Sequence, residues 1–308
     1  MSEEMEALRG LGTALITPFK ADKHVDFEAL ARLLDTQLTG AVDYIVVLGT
    51  TGEAATMTAD EKREVRQFIV QYAQQHPLPN GQIIPLVLGV GGNNTAQRIE
   101  DLQAMRNELI PDFTAILSVC PYYNKPNQEG LYQHFCAVAE ASPIPVVLYN
   151  VPGRTGVNLL PETIMRIYEA QPKKIAGIKE ASGNLEQIKH LINLINAEGN
   201  KRSKGALHLP LVISGDDGIA CEVMEAGGAG LISVASNAFA EDFYDIVHKK
   251  DQVKQAQYAE MIRLLFKEGN PVGIKAVLAQ KGIIQNNLRL PLVPASAELQ
   301  AQIKKELA

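Results

Sequence analysis

The sequence predicts an α/β protein, a (β/α)8 TIM barrel followed by a C-terminal helical segment, on three observations. Eight short apolar runs alternate with eight longer amphipathic stretches. The runs are continuously apolar rather than alternating, as parallel strands covered on both faces are. The 308 residues exceed the ~250 typical of such a barrel and leave a tail for extra helices. A doubly wound open sheet is the competing architecture, but no G-x-G-x-x-G follows the first run.

Taken in order, the first strand falls at 14–19 and the first helix at 26–38, with a polar start at Asp26. The second strand is 44–49. Thr58-Ala59-Asp60-Glu61 then forms a capping box for helix 58–75, an N-cap hydroxyl with an acid three residues on. Strands 84–91 and 113–120 flank helix 94–109, and helix 128–141 leads to strand 144–151. Helix 161–170 precedes strand 174–180, after which Asn184 opens helix 184–197 directly behind Gly183. The polar, Lys-rich stretch 196–207 reads as a surface loop. Strand 209–214, helix 218–226, strand 230–234 and helix 240–249 complete the eight units. Helical patterns at 253–267 and 271–282 form the tail, so the expected division is a catalytic barrel over 1–253 and a helical segment over 254–308.

Composition narrows the class. With 46% hydrophobic residues the chain can bury a large core. Its net charge of −6 comes from interspersed acids and bases rather than blocks, which disfavours a nucleic-acid partner or a basic membrane-binding face. Three unclustered cysteines suit a reducing compartment without a disulfide framework. The acidic N-terminus carries no apolar signal segment, and no run approaches the ~18 apolar residues of a membrane helix. The expected location is the cytoplasm.

In a barrel of this kind chemistry gathers at the carboxyl ends of the strands, and these ends are polar. Strand 174–180 carries Lys179 near its end. An ammonium taken out of water gives up its proton more readily, and the free amine attacks a ketone to form a Schiff base; read alone, Lys179 reads first as a surface lysine past a strand. The other ends offer Gly49-Thr50-Thr51-Gly52-Glu53, Tyr122-Tyr123-Asn124, Tyr149, Arg154 in Pro152-Gly153-Arg154-Thr155-Gly156, Gly215-Asp216-Asp217 and Ser233. Each has a plainer reading. Gly49 to Glu53 could be an ordinary turn, Tyr149 a packing aromatic, Tyr122 and Tyr123 loop or subunit packing, and Arg154 solvated surface. Asp216 and Asp217 are read as a helix cap. None of the six histidines stands at a strand end beside a second ligand type, so a metal-dependent aldolase is disfavoured and no metal is expected.

Taken together, Gly49-Thr50-Thr51-Gly52-Glu53, Tyr149-Asn150-Val151-Pro152 with Arg154-Thr155-Gly156, and Gly177-Ile178-Lys179-Glu180 resemble the dihydrodipicolinate synthase and N-acetylneuraminate lyase family. The resemblance spans essentially the whole chain. It implies a homotetramer, a dimer of dimers, that binds pyruvate as a Schiff base and needs no cofactor. Thr50-Thr51, Arg154 and Tyr122-Tyr123-Asn124-Lys125-Pro126 resemble the synthase branch, which condenses pyruvate with L-aspartate 4-semialdehyde on the diaminopimelate route of lysine biosynthesis. A 2-keto-3-deoxy sugar acid aldolase or neuraminate lyase is the alternative. A guanidinium at Arg154 suits the semialdehyde, because it pairs with a carboxylate in a planar, bidentate way.

The resemblance also implies roles. Lys179 forms the imine; Tyr149 shuttles protons, with Thr51 linking it to Tyr123, which reaches in from a neighbouring subunit. Thr50 and Thr51 amides hold the pyruvate carboxylate, Arg154 the semialdehyde carboxylate, and Gly215 and Ile232 line the pocket through their carbonyls. Tyr122 and Asn93 match an allosteric site for L-lysine, but Ala59 and Lys62 stand where lysine-sensitive enzymes tend to carry histidines, and Gln97 replaces a glutamate. Losing that acid, and adding Lys62, disfavours an ammonium ligand; weak or absent feedback by L-lysine is expected.

Overall fold

The structure is a computed structural model and describes residues 5–110, 112–201 and 208–308. Eight strands close into a barrel in chain order: β1 (Gly10–Ala14), β2 (Tyr44–Val47), β3 (Leu86–Val90), β4 (Ala115–Val119), β5 (Val146–Asn150), β6 (Ile175–Glu180), β7 (Leu211–Ser214) and β8 (Gly230–Ser233). Helices alternate with them: α1 (Phe27–Gln37), α2 (Ala59–Gln75), α3 (Thr95–Ala104), α4 (Gln128–Ala141), α5 (Pro161–Ala170), α6 (Leu185–Lys201), α7 (Ala220–Glu225) and α8 (Ala240–Lys249). The C-terminal segment adds α9 (Gln252–Gln257), α10 (Ala259–Phe266), α11 (Val272–Gln280) and α12 (Ala297–Glu306). The predicted fold class is the observed one. Two compact units divide the chain, one of residues up to Arg9 with Pro85–Ile232, the other Gly10–Ile84 with Ser233–Ala308.

In the first unit β3 to β7 run parallel, with one register shift between Val146 and Val147 against β6, beyond which Tyr149 stands opposite Lys179 and Lys179 opposite Ile213. Every residue of β5 and β6 is buried, as strands sandwiched between side-chain layers must be. Helix α4 shows how the surrounding layer forms. Leu131, Phe135 and Val138 are buried on one face at the spacing that stacks side chains along a helix. Asn127 caps it by accepting from the Gly130 amide (2.9 Å).

His134 on the same helix is a buried exception with a testable consequence. Its Nδ1 lies 2.8 Å from Thr95 Oγ1, while Nε2 has no hydrogen-bond partner among the described residues. Burial, and then the nearby Arg98 guanidinium, push the imidazole down to about 4. The unfolded chain therefore binds a proton near pH 6.5 that the folded chain refuses. Stability from this group is complete above that value and is lost as pH falls toward 4. Between pH 7 and pH 5 the loss is about 2 kcal/mol. Urea unfolding at both pH values should show this difference for the parent and not for His134→Gln; equal pH dependence of the two would remove the assignment.

In the second unit β1 pairs β2, with Gly12 opposite Tyr44. Here the sequence reading is corrected, since the first strand lies at Gly10–Ala14 rather than 14–19. Gly12 is required because a Cβ there would sit 2.2 Å from the Tyr44 ring, and this small residue hides the strand from a hydrophobicity reading. After Ala14 the chain leaves the ladder. The Ile16 amide donates to Asn237 Oδ1 (3.1 Å) and Asn237 Nδ2 donates to the Ala14 carbonyl (2.8 Å), while Pro18 has no N–H to offer.

Other boundaries differ for local reasons. The capping box is present in full, with Thr58 Oγ1 accepting from the Glu61 amide and Glu61 accepting from the Thr58 amide. The 94–109 prediction resolves into α3 and a short turn, Arg106–Leu109, separated by Met105 at ψ 0°. Likewise 253–267 is split into α9 and α10 at Tyr258, whose ψ is −2°. Helix α6 runs to Lys201, so 196–201 is helical rather than loop. Ala197, Glu198 and Lys201, good helix formers, carry it past Ile195 in spite of Gly199 and Asn200; residues 202–207 lie outside the described residues. Helix α12 went unpredicted.

Candidate active site

Lys179 and Tyr149 meet because neighbouring parallel strands place them at the same level. Side chains alternate along a strand, so Tyr149 and Lys179 share one face, and Asn150 and Glu180 the other. Lys179 Nζ lies over the Tyr149 ring, 4.6 Å from its centroid, a distance at which a cation is attracted to the ring face. Both residues are buried, each 6% exposed. Gly215, just after β7, completes this corner. A Cβ there would stand 2.8 Å from Lys179 Cε, so a glycine is needed for the lysine stem to pass. Ile232 is buried in β8.

Behind this pair lies a polar layer that sequence reasoning missed. Glu180 Oε2 accepts from Asn150 Nδ2 (2.9 Å) and Gln187 Nε2 (3.2 Å), and Oε1 from the Ser182 amide (2.8 Å). Asn150 Nδ2 also donates to Asn158 Oδ1 (2.8 Å), and Asn150 Oδ1 accepts from the Leu159 amide (2.9 Å). Three elements are thereby tied behind the carboxyl ends of β5 and β6, with each buried group satisfied. The available signal was the repeat of a polar pair, Tyr-Asn and Lys-Glu, at two successive strand ends.

Arg154 stands on the helical turn Pro152–Thr155 that leaves β5. The turn is firmly closed: the Gly156 amide donates to the Pro152 carbonyl (2.9 Å), and buried Thr155 Oγ1 donates to the Val151 carbonyl (3.2 Å). Tyr123 is 89% exposed, with φ at +74°. Tyr122 is held differently, its carbonyl accepting from Asn93 Nδ2 (3.0 Å), while Asn124 Nδ2 donates to the Asn93 carbonyl (3.0 Å). Gln97 lies on α3 and donates to Asp101 Oδ1 (3.1 Å).

Thr50, Thr51 and Lys62 belong to the second unit. Thr50–Gly52 is a turn of 3-10 helix after β2. The Gly52 amide donates to the Gly49 carbonyl and the Glu53 amide to the Thr50 carbonyl, both at 3.1 Å. Thr51 is buried, and its Oγ1 accepts from Asn270 Nδ2 at 3.0 Å. Glu53, at φ +53°, pairs in the interior with Lys275 and accepts from the Arg289 amide (3.1 Å). Asn270, Glu53 and Lys275 carried no sequence signal as a group, since they meet only through the fold. Asp216 caps the turn after β7 as expected, accepting from the Gly218 amide at 2.8 Å. Among the described residues no group of three or more His, Cys, Asp or Glu is placed to hold a metal ion, and no helix is long and apolar enough to cross a membrane.

Residues 7–308 match the Dihydrodipicolinate synthetase family. The 4-hydroxy-tetrahydrodipicolinate synthase of Parabacteroides distasonis is 45% identical over 97% of this chain and 96% of its own. Among solved structures, the dihydrodipicolinate synthase of Thermotoga maritima superposes with a TM-score of 0.87 at 36% identity, over 97% of both chains. The chloride-inhibited dihydrodipicolinate synthase of Acinetobacter baumannii, complexed with pyruvate, does so at 0.86 and 35% identity, over 97% of this chain and 98% of that one.

Proposed function

The chain belongs to the dihydrodipicolinate synthetase family, and we infer from that membership and from its own residues how it acts as a 4-hydroxy-tetrahydrodipicolinate synthase. It is a Schiff-base-forming lyase of lysine biosynthesis, joining pyruvate to L-aspartate 4-semialdehyde. The observation that carries the reading is the buried Lys179 amine over the Tyr149 ring at adjacent strand ends.

The amine of Lys179 adds to the pyruvate ketone, and loss of water leaves an imine whose positive charge draws electrons from the adjacent methyl group. A methyl proton departs, and the resulting enamine carbon attacks the aldehyde of the second substrate. Tyr149, whose ring centroid lies 4.6 Å from the Lys179 amine, passes the protons in this reading. Phenols titrate near ~10, so a hydrogen-bonded chain is required for rapid transfer at neutral pH; Thr51 and Tyr123 extend that chain in this reading. The high exposure of Tyr123 fits a side chain that enters the site of a neighbouring subunit in a homotetramer. Thr50 and Thr51 amides take the pyruvate carboxylate, Gly215 and Ile232 line its pocket, and Arg154 takes the carboxylate of the semialdehyde. The imine is itself the electron sink, so no external cofactor is required, and the site of action is the cytoplasm. Incubation with pyruvate and borohydride should give an adduct on Lys179 by mass spectrometry, and turnover should require aspartate semialdehyde rather than N-acetylneuraminate or a keto-deoxy sugar acid.

Regulation by L-lysine should be weak. Gln97 brings an amide engaged with Asp101 rather than a free acid, and Lys62 adds a cation to a position proposed to face the ligand's ammonium. A titration should leave more than half the activity at roughly 1 mM lysine; half-loss below that concentration would overturn the assignment of Gln97 and Lys62.

A further inference from the structure

The ladder between β5 and β6 carries one irregularity. Val146 stands opposite Ile175 and Val147 opposite Gly177, so β6 holds one residue more than β5 at that step. Beyond it Tyr149 faces Lys179 and Asn150 faces Glu180. Had the first register continued, Tyr149 would face Ile178 and Asn150 would face Lys179. Every side chain of β6 would then stand on the other face relative to β5, because side chains alternate along a strand. Apolar burial does not choose between the two registers, since Val146, Val147 and Leu148 are buried on one strand and Ile175, Ala176 and Ile178 on the other. Nor does the backbone, which offers the same N–H and C=O groups in either.

The side chains that tell the registers apart stand at the end of the pair. Asn150 and Glu180 are fully buried and bond directly across the ladder, Asn150 Nδ2 donating to Glu180 Oε2 at 2.9 Å. Each is also held from outside the ladder. Asn150 Oδ1 accepts from the Leu159 amide (2.9 Å), and Glu180 accepts from the Ser182 amide (2.8 Å) and Gln187 Nε2 (3.2 Å). A slip of one residue would bring Asn150 against Lys179 and strip the buried Glu180 carboxylate of this donor, a loss that unchanged apolar burial would not offset. We propose that Asn150 and Glu180 are positioning residues whose hydrogen bond locks β5 against β6 in the shifted register and so holds Tyr149 opposite the Lys179 amine. The inference rests on the reading of Lys179 as the imine-forming residue and Tyr149 as its proton carrier.

The bond has a direction that substitution can reverse. In Glu180→Gln the introduced amide N–H faces Asn150 Nδ2, donor against donor. In Asn150→Asp a second carboxylate faces that of Glu180, acceptor against acceptor. Made together, the two changes exchange donor and acceptor, and the hydrogen bond returns, with the Leu159 and Ser182 amides still accepted.

The test uses the full-length enzyme, with kcat expressed per site that pyruvate and borohydride trap at Lys179, so that unfolded protein does not count. E180Q and N150D should each lose about ten- to a hundred-fold in kcat, the scale of roughly 1 Å of misplacement. N150D/E180Q should be faster than both single variants; a double variant that is not overturns the proposal, as does parent-like kcat in E180Q. Y149F separates positioning from general disruption. Because the lock acts through Tyr149, adding E180Q to Y149F should cost less than about twofold, whereas the full E180Q loss recurring in that background overturns the proposal. If N150D or the double variant does not fold, the comparison of E180Q with and without Y149F decides; if E180Q does not fold, N150A takes its place there. No adduct on Lys179 in the parent removes the imine reading and this inference together. An adduct in the parent with parent-like kcat in E180Q removes this inference alone.

Discussion

Lys179→Ala is expected to lower kcat/KM at least about a thousand-fold and to abolish the pyruvate–borohydride adduct, with the fold unchanged by circular dichroism. Lys179→Arg should be no better, because a guanidinium stays protonated and offers no free amine. The chain contains a second buried lysine that makes this a real choice. Lys275 is wholly enclosed, and burial pushes its ammonium down to about 8 against the pull of Glu53, which by the usual association of shifted groups with active sites would nominate it. Geometry decides otherwise. The Lys275 ammonium is taken up by Glu53, by the Asn287 carbonyl (3.0 Å) and by the Phe19 ring (4.2 Å to its centroid), leaving no direction from which a ketone could approach. An adduct found on Lys275, or undiminished turnover in Lys179→Ala, would sink the assignment.

The second large effect is structural and belongs to that same enclosed pair. Lys275→Met should destabilise the protein by about 3–5 kcal/mol, since it leaves the Glu53 carboxylate buried without its cation. Glu53→Leu should cost a comparable amount by stranding the ammonium. The double replacement Glu53→Leu with Lys275→Met should recover most of the loss, because two apolar groups remove both desolvation penalties at once. Equilibrium unfolding of the four proteins forms a double-mutant cycle. Additive losses in the double variant would show that the pair is not coupled, contrary to its enclosure in one site. Because Glu53 follows the Thr50–Gly52 turn directly, the single variants should also lose activity at temperatures where they remain folded.

How far the sequence could be read depends on the range of the interactions involved. Runs such as Val146–Asn150 and Ile175–Glu180 announce themselves because a strand buried on both faces must be apolar along its length. The Thr58 capping box is equally legible, its two hydrogen bonds closing within four residues. The first strand was misplaced because Gly12 answers to the Tyr44 ring on the neighbouring strand, and Gly10 to Asp43 and His248, rather than to their own segment. The boundaries at Met105 and Tyr258 depend on single backbone angles, which composition does not encode.

The sequence by itself determined the barrel, its order of strands and the identity of Lys179, Tyr149, Thr51 and Arg154 as candidates, since period, turn chemistry and motif are local properties of the chain. Tertiary structure alone decided that Lys275 is enclosed with Glu53, that Tyr149 lies under the Lys179 amine, and that Asn270 and Lys275 secure the turn bearing Thr51. Those facts depend on contacts across as many as 222 residues, where a hydrogen bond of 3 Å requires two distant segments to be fixed at once. No local pattern of side chains can express that requirement; only the closed fold does.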